Sequence, residues 1–568
     1  MILTGNRKIF GIAHKKEAVS KGWPLFIIRC SKKQGAEAPV FLQGRYPCCV
    51  YTNSKVVFKN YDPKQMLLLP PSLEELIEAN HPVRVVNQVI ERINIEPLLA
   101  AYQGGGTSSY HPRMMLKVIV FAYLSNIYSS RKIEAALKEN ILFMWISAMN
   151  KPDHNSINRF RSERLQKPLK EIFVQIVELL AAEGLLDIRE LYTDGTKIEA
   201  NANRYTFVWG KSVERSRERI KKQVDELWQY AQQVAGEELA DTTPLEFDAA
   251  DPVQVEKTIE KINQVLSDKN IDPKVRQKIN YAKKNWPDNV RKYQQQETII
   301  KQSEERRSSY SKTDPGATFM RMKEDHMRNG QLKAAYNLQI SSNNRYIINY
   351  SLHQSTSDTS AFISHLEQYR RSYKQSPVAV TADSGYGSEE NYAFLDSNKI
   401  ESFVKYNYFH LEQRASSKQN QFAQQNLPYD EHTDTFTCPN GKHLYNAGTY
   451  KKRSDNGYVQ IVTDYQAQSC SGCALKDQCH KRAGDRIITV NHRLRQYKAQ
   501  AKVNLTSERG IQRRKNRPAD IEQVFAQIKH NKHFKRFLLR GKDKVSIETG
   551  LIAIAHNLAK KAAQRPLN

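Results

Sequence analysis

Hydrophobic and polar positions follow different periods in different parts of this chain, and each period predicts a different kind of structure. Residues 1–56 show no clear period, although Cys30, Cys48 and Cys49 fall among them. They read as an unassigned N-terminal extension, or as translation from an upstream start with the working protein beginning near Met66. From Ser72 to about Leu186 the apolar residues recur at helical spacing. Ser72 is placed to cap a helix through Leu73, Leu76 and Ile77, with Glu74 and Glu75 in its first turn. A second helix is predicted over 114–127 and a third from Ser130, where Ile133, Leu137 and Ile141 share a face. Asp153 is placed to cap a further helix carrying His154, Asn155, Ser156, Arg159 and Arg161. Such side chains read bases and hold phosphates from a helix that enters a groove. An ordinary polar helix start is an equally good reading.

After Leu185 the pattern turns to strands. A strand over 185–193 leads to Asp194. A long charged stretch then runs to about Tyr310. Within it Val213, Ile220, Val224 and Leu227 share one helical face, and Val255, Ile259, Ile262 and Leu266 share another. Two amphipathic helices joined by an acidic loop predict a helical hairpin inserted into a sheet domain. Strands over 335–341 and 346–352 flank Ser342-Asn343-Asn344-Arg345, a hairpin signal. A helix over 360–371 and strands over 378–382 and 402–406 follow. The order is strand, hairpin, helix, strand, helix, strand and a late helix. It predicts an α/β fold, a ribonuclease H-like mixed-sheet catalytic domain with an α-helical N-terminal domain and helical and Cys-rich insertions. The expected division is 1–56, a helical DNA-binding region 57–184, and a catalytic domain 185–565 with a helical insertion 211–310 and a Cys-rich insertion 430–485.

Charge sharpens this picture. The net charge is +27, which favours a polyanionic partner, most often nucleic acid. Eleven Lys/Arg against three acids lie between Arg513 and Lys544, whereas 237–256 holds seven acids and no base. A basic block of that kind suits a phosphate-rich substrate. The longest apolar stretch, 114–124, is interrupted by Lys117 and is too short to span a bilayer, so no membrane partner is expected. With no signal-peptide core visible, a cytoplasmic, nucleoid-associated protein is expected. Seven cysteines in a chain this long do not suggest a secreted disulfide scaffold.

The candidate chemistry lies in three runs: Tyr192-Thr193-Asp194-Gly195-Thr196, Val380-Thr381-Ala382-Asp383-Ser384-Gly385-Tyr386, and the segment from Asp520 to Lys529. In the first two, an apolar strand delivers an Asp into a Gly-bearing turn. In the third, Glu522 lies on a helix in basic surroundings. Two metal ions about 4 Å apart activate the attacking oxygen and stabilise the leaving oxygen of a phosphodiester. They need hard oxygen ligands, which Asp and Glu supply. Lys529, two helical turns beyond Glu522, and Arg517, just before it, are placed to hold phosphate. Glu548 is the rival for the third carboxylate. Cys438, Cys470, Cys473 and Cys479 suit a tetrahedral structural Zn²⁺ site, or are four free thiols in an insertion. His353 and His410 read as satisfied or exposed histidines.

These residues resemble those of bacterial insertion-sequence transposases of the DDE class, in the branch with a cysteine-bearing insertion before the catalytic Glu. The resemblance runs from about Tyr61 to Lys561. It is carried by Tyr61-Asp62-Pro63-Lys64-Gln65, Tyr128-Ser129-Ser130-Arg131-Lys132-Ile133-Glu134, the run from Asp194 to Asn203, Ala382-Asp383-Ser384-Gly385-Tyr386, and Arg536-Phe537-Leu538-Leu539-Arg540-Gly541. It implies Asp194, Asp383 and Glu522 as a Mg²⁺ (or Mn²⁺) triad, with Lys529 beside them. Arg159, Arg161, Arg517, Lys529, Arg536 and Arg540 are the expected DNA contacts. Relatives place a Tyr and then an Arg before the Glu; here the Tyr is missing and Arg517 lies one residue off the usual spacing. The resemblance implies cleavage and strand transfer at terminal inverted repeats on double-stranded DNA, by a homodimer. The alternatives are an inactive or repurposed DNA-binding copy and a stand-alone nuclease.

Overall fold

A computed structural model describes residues 71–102, 109–236, 251–303, 307–322, 330–454 and 456–564. The 1–56 extension with its three cysteines, Met66, the Tyr61–Gln65 motif and most of the acidic block 237–256 lie outside these residues.

The described chain is a mixed α/β structure built on a six-stranded sheet. Its strands are β1 (Glu190–Glu199), β2 (Thr318–Arg321), β3 (Leu332–Asn343), β4 (Tyr346–His353), β5 (Ala379–Ala382) and β6 (Glu401–Val404). The order across the sheet is β2-β3-β1-β5-β6, and β4 pairs with β3. β1 runs antiparallel to β3 and parallel to β5, which in turn runs parallel to β6. The predicted hairpin is present. Asn344 and Arg345 both take positive φ, 47° and 61°, the geometry of a tight turn matching strand twist. β1 differs from expectation: it begins at Glu190 and continues through Asp194 to Glu199, so Asp194 sits within a strand rather than in a turn. Pairing with the long β3 keeps its backbone extended, with Asp194 opposite Ile340.

The N-terminal helices α1 (Pro82–Arg92), α2 (Pro112–Leu124), α3 (Ser130–Glu139) and α4 (Leu169–Ala182) share one core with the sheet. Residues 72–80 form turns rather than the expected helix. The helix starts instead at Pro82, where His81 Nδ1 accepts from the Val83 amide, and proline is well placed in a first turn. Asp153 does cap the short helix His154–Arg159, through the Ser156 amide.

Among the described residues, the helical insertion contains three helices where two were expected. α5 (Gly210–Val234), α6 (Pro252–Val265) and α7 (Pro273–Lys301) pack around their own small core of Val224, Leu227, Ile259, Ile262 and Trp286. A two-stranded ribbon, Phe207–Trp209 against Ser309–Ser311, closes its base. Cys438, Cys470, Cys473 and Cys479 lie between the strands of an antiparallel five-stranded meander that includes the hairpin His443–Arg453 with Val459–Ala467. α8 (Asp358–Tyr373) joins β4 to β5 and packs against β3 and β4; beyond the meander come α9 (His492–Thr506), α10 (Glu508–Arg517) and, last, α11 (Lys542–Ala563).

α11 is buried along most of its length and carries His556, whose ring bonds to the Arg345 carbonyl at 2.9 Å. Burial pushes this imidazole down to about 4, below its ordinary 6.5. The unfolded chain therefore binds the extra proton first. The stability of the neutral ring is full above pH 6.5 and is lost as pH falls towards about 4, on the order of 3 kcal/mol in all. Urea denaturation should show a lower midpoint at pH 5 than at pH 7, and His556→Gln should flatten that difference.

Candidate active site

The sheet register puts the two aspartates side by side. Tyr192 on β1 pairs with Thr381 on the parallel strand β5. Asp194 and Asp383 each lie two residues further on, so they stand level at the same end and on the same face. Asp383 follows the end of β5 and caps the tight turn Ser384–Tyr386, its Oδ1 accepting from the Gly385 amide at 2.9 Å. Asp194 is nearly buried, and its Oδ1 accepts from the Gly195 amide at 2.8 Å. Gly195 is needed for close approach: a side chain there would collide with Gln339 Nε2 and stand 2.5 Å from Asp358 Oδ1.

Glu522 arrives from the C-terminal side, on a helical run continuing α10. That run contains two π turns, Pro518–Glu522 and Gln527–Asn531. It is fixed to the sheet at two points. Asp520 accepts from Ser342 Oγ at 2.6 Å and from the Arg345 amide at 3.1 Å, at the β3–β4 hairpin. Arg513 is buried; it pairs with Glu190 at 2.9 Å, donates to Thr381 Oγ1 at 2.8 Å, and lies over the Tyr192 and Phe403 rings. Both anchors were missed by sequence reasoning, since a buried cation or acid among so many charges carries no local mark.

The three carboxylates meet around Arg517. Its Nη2 lies 2.9 Å from Asp194 Oδ2 and 3.9 Å from Asp383 Oδ2, and its Nη1 lies 3.2 Å from Glu522 Oε1. All four side chains line one open cleft with Gly195, Thr196, Phe525, Ala526, Lys529 and His530. Lys529, expected near the triad, is therefore at the cleft. Lys405, missed in the sequence, does not line the cleft but feels its charges: burial chiefly, then Arg517 and Arg514, push its ammonium down, while Asp383 and Glu522 oppose this. The rival Glu548 is elsewhere. It is fully buried, its Oε2 accepting from the Leu538 and Leu539 amides at 2.9 and 2.8 Å.

The other expected DNA contacts divide. Arg159 is exposed. Arg536 and Arg540 are exposed too, although each bonds to backbone carbonyls of residues 200–202. Arg161 is a correction: it is buried, with Nη1 on the Tyr128 carbonyl at 2.7 Å. It lies in the π turn Phe160–Arg164, which is wider than an α turn by one residue. Arg517 is also buried and spends its fork on the carboxylates.

Among the described residues, no three His, Cys, Asp or Glu side chains stand ready-grouped around a metal position. The donor set at the cleft nonetheless fits a hard dication: three carboxylates already gathered about one cation. Cys438, Cys470, Cys473 and Cys479 form no disulfide, and all four line one small cavity together with His480. Three sulfurs accept N–H donors: Cys470 from the Arg486 amide at 3.4 Å, Cys473 from Asn440 at 3.6 Å, and Cys479 from the Arg486 guanidinium at 3.0 Å. His353 is buried and bonded to Ser351, while burial, Lys405 and Arg514 push His410 down; neither lines the cleft.

Two stretches of the chain match known families. Residues 437–562 match the family described as Transposase DDE domain, and residues 71–163 match Transposase domain (DUF772). The two matches support an insertion-sequence transposase of the DDE class. The first covers Glu522, Lys529 and the four cysteines; Asp194 and Asp383 lie outside it. No curated protein and no solved structure matches the chain. Among the described residues, no helix is long and apolar enough to cross a membrane.

Proposed function

We propose that this chain binds the terminal inverted repeats of its own element and carries out metal-dependent DNA strand cleavage and strand transfer. The observation that carries the reading is the convergence of Asp194, Asp383 and Glu522, from distant parts of the chain, on one cation in one open cleft. The strand order, with an antiparallel hairpin on one side of β1 and parallel β5 and β6 on the other, supports a ribonuclease H-like catalytic domain.

Asp194, Asp383 and Glu522 would hold Mg²⁺ or Mn²⁺. The bound metal supplies activation of water, or of a DNA 3′-hydroxyl, and charge stabilisation at the leaving oxygen. Lys529 would meet a non-bridging phosphate oxygen and fix the scissile bond over the carboxylates. The Asp520 and Arg513 anchors hold the Glu522 helix in register with the sheet, so the third carboxylate does not drift from the first two. The helix starting at His154 would contact the element ends through exposed side chains such as Arg159, with Arg536 and Arg540 on DNA near the cleft. Two ends must be cut and joined in concert, which requires a dimer on DNA, and a cytoplasmic, nucleoid-associated location follows.

Zinc at the four cysteines belongs to the same proposal. The four sulfurs share one small cavity, and a meander with so small a core gains from a metal staple. Metal analysis of purified protein should find about one zinc per chain, lost in the Cys470→Ser, Cys473→Ser double variant. Protein that folds without zinc and shows four titratable thiols would leave the cysteines as free thiols.

The activity is tested with labelled DNA carrying the gene's own flanks, incubated with and without Mg²⁺. Metal-dependent cuts at the repeat ends support the transposase. Binding without cutting by folded protein turns the reading to a repurposed DNA-binding copy, and cutting without regard to ends to a stand-alone nuclease.

A further inference from the structure

We propose that Arg517 is an internal cation that holds the carboxylate cleft closed to divalent metal until DNA draws it away. The inference rests on the transposase reading and adds to it a coupling between DNA and metal. Arg517 contacts Asp194 Oδ2, Asp383 Oδ2 and Glu522 Oε1, the oxygens a dication would need. The two cations therefore compete for the same ligands. A second observation shows that this pairing does not satisfy the guanidinium: its Nε is buried and has no hydrogen-bond acceptor. Such an unmet buried donor is destabilising. A DNA phosphate at the mouth of the cleft, which is also lined by Lys529 and His530, offers two accepting oxygens to the planar guanidinium fork.

Arg517 thus has two alternative partners. Without DNA it neutralises part of the triad, which keeps three carboxylates together at tolerable repulsion. With DNA it turns to phosphate and frees the carboxylates. By linkage, DNA must raise metal affinity, and metal must raise DNA affinity by the same factor. The consequence is an enzyme that loads metal on its substrate rather than in free solution.

The test is Mn²⁺ binding to the full-length protein, followed by the electron paramagnetic resonance signal of the free ion, with a duplex that carries no element end. Wild type is compared with Arg517→Gln, Arg517→Lys, Asp383→Asn and the Arg517→Gln, Asp383→Asn double variant. Without DNA, Arg517→Gln should bind Mn²⁺ about tenfold more tightly than wild type; adding DNA should raise wild-type affinity by a similar factor and leave Arg517→Gln little changed. Arg517→Lys should gain in the same direction by less, because an ammonium cannot span three carboxylates. Should Arg517→Gln fail to fold, the wild-type response to DNA and the Arg517→Lys gain still decide the matter. Unchanged or weaker Mn²⁺ binding in folded Arg517 variants, with Asp383→Asn weakening it, overturns the closure and leaves the metal site standing. If Asp383→Asn changes Mn²⁺ binding in neither background, the metal-site reading itself fails.

Discussion

Asp383→Asn and Glu522→Gln should each abolish metal-dependent cutting, by on the order of 10³-fold or more, while leaving metal-free DNA binding and folding intact. The size follows from losing a ligand to a metal that supplies several kcal/mol of transition-state stabilisation, at about 1.4 kcal/mol per tenfold. These two positions separate chemistry from stability because they are loosely tied: the Asp383 side chain is 41% exposed and 3.9 Å from Arg517, and that of Glu522 is 56% exposed. Asp194 differs. It is nearly buried and pairs with the buried Arg517 at 2.9 Å, so Asp194→Asn removes a metal ligand and also strips a buried cation of its best partner. Asp194→Asn should therefore lose activity and stability together. The check is single-turnover cleavage of end-bearing DNA beside urea denaturation of all three variants. Retained cutting in a folded Asp383→Asn protein would remove Asp383 from the chemistry.

The two aspartates were legible in the sequence because short apolar strands precede them, and parallel pairing of Tyr192 with Thr381 then makes them neighbours. Glu522 was harder to read, and the oddity of its surroundings has a structural reason. Arg517 precedes it by five residues, which in a regular α-helix would turn the two to different faces. The π turn at Pro518–Glu522 has i to i+5 spacing and brings both to the cleft. One extra residue in the sequence is thus absorbed by one wider turn. Arg161 also lies in a π turn, where periodicity assumed an unbroken α-helix. The third helix of the insertion was hidden by its density of charge and by Pro287 in its middle, although Ile279, Ala282, Trp286 and Val290 keep a helical period. Arg513 and Asp520 were illegible for a different reason. Their partners, Glu190 and Ser342, are far away in sequence, and only the folded sheet brings them together.

Glu548→Ala should destabilise the protein by about 3–5 kcal/mol, the largest stability loss expected from any single carboxylate here. The carboxylate is fully buried and accepts from two backbone amides, Leu538 and Leu539, with Tyr123 at 3.4 Å on its other oxygen. Truncation leaves two buried N–H groups without acceptors and opens a cavity beside α2. Glu548→Gln keeps one accepting oxygen and should cost much less. Burial raises this carboxyl, opposed by its hydrogen bonds and by Arg161, so the neutral amide is a tolerable replacement. The effect on function is indirect: the segment these amides fix also carries Arg536 and Arg540, so Glu548→Ala should weaken DNA binding along with stability. This pair of substitutions also decides between the two candidates for the third carboxylate. A metal ligand at 548 would make Glu548→Gln inactive yet stable. A structural acceptor makes Glu548→Gln active, and Glu548→Ala unstable, with a lower urea midpoint at unchanged slope. The amides of Leu538 and Leu539 already occupy the oxygen that a metal would need, so the second pattern is expected.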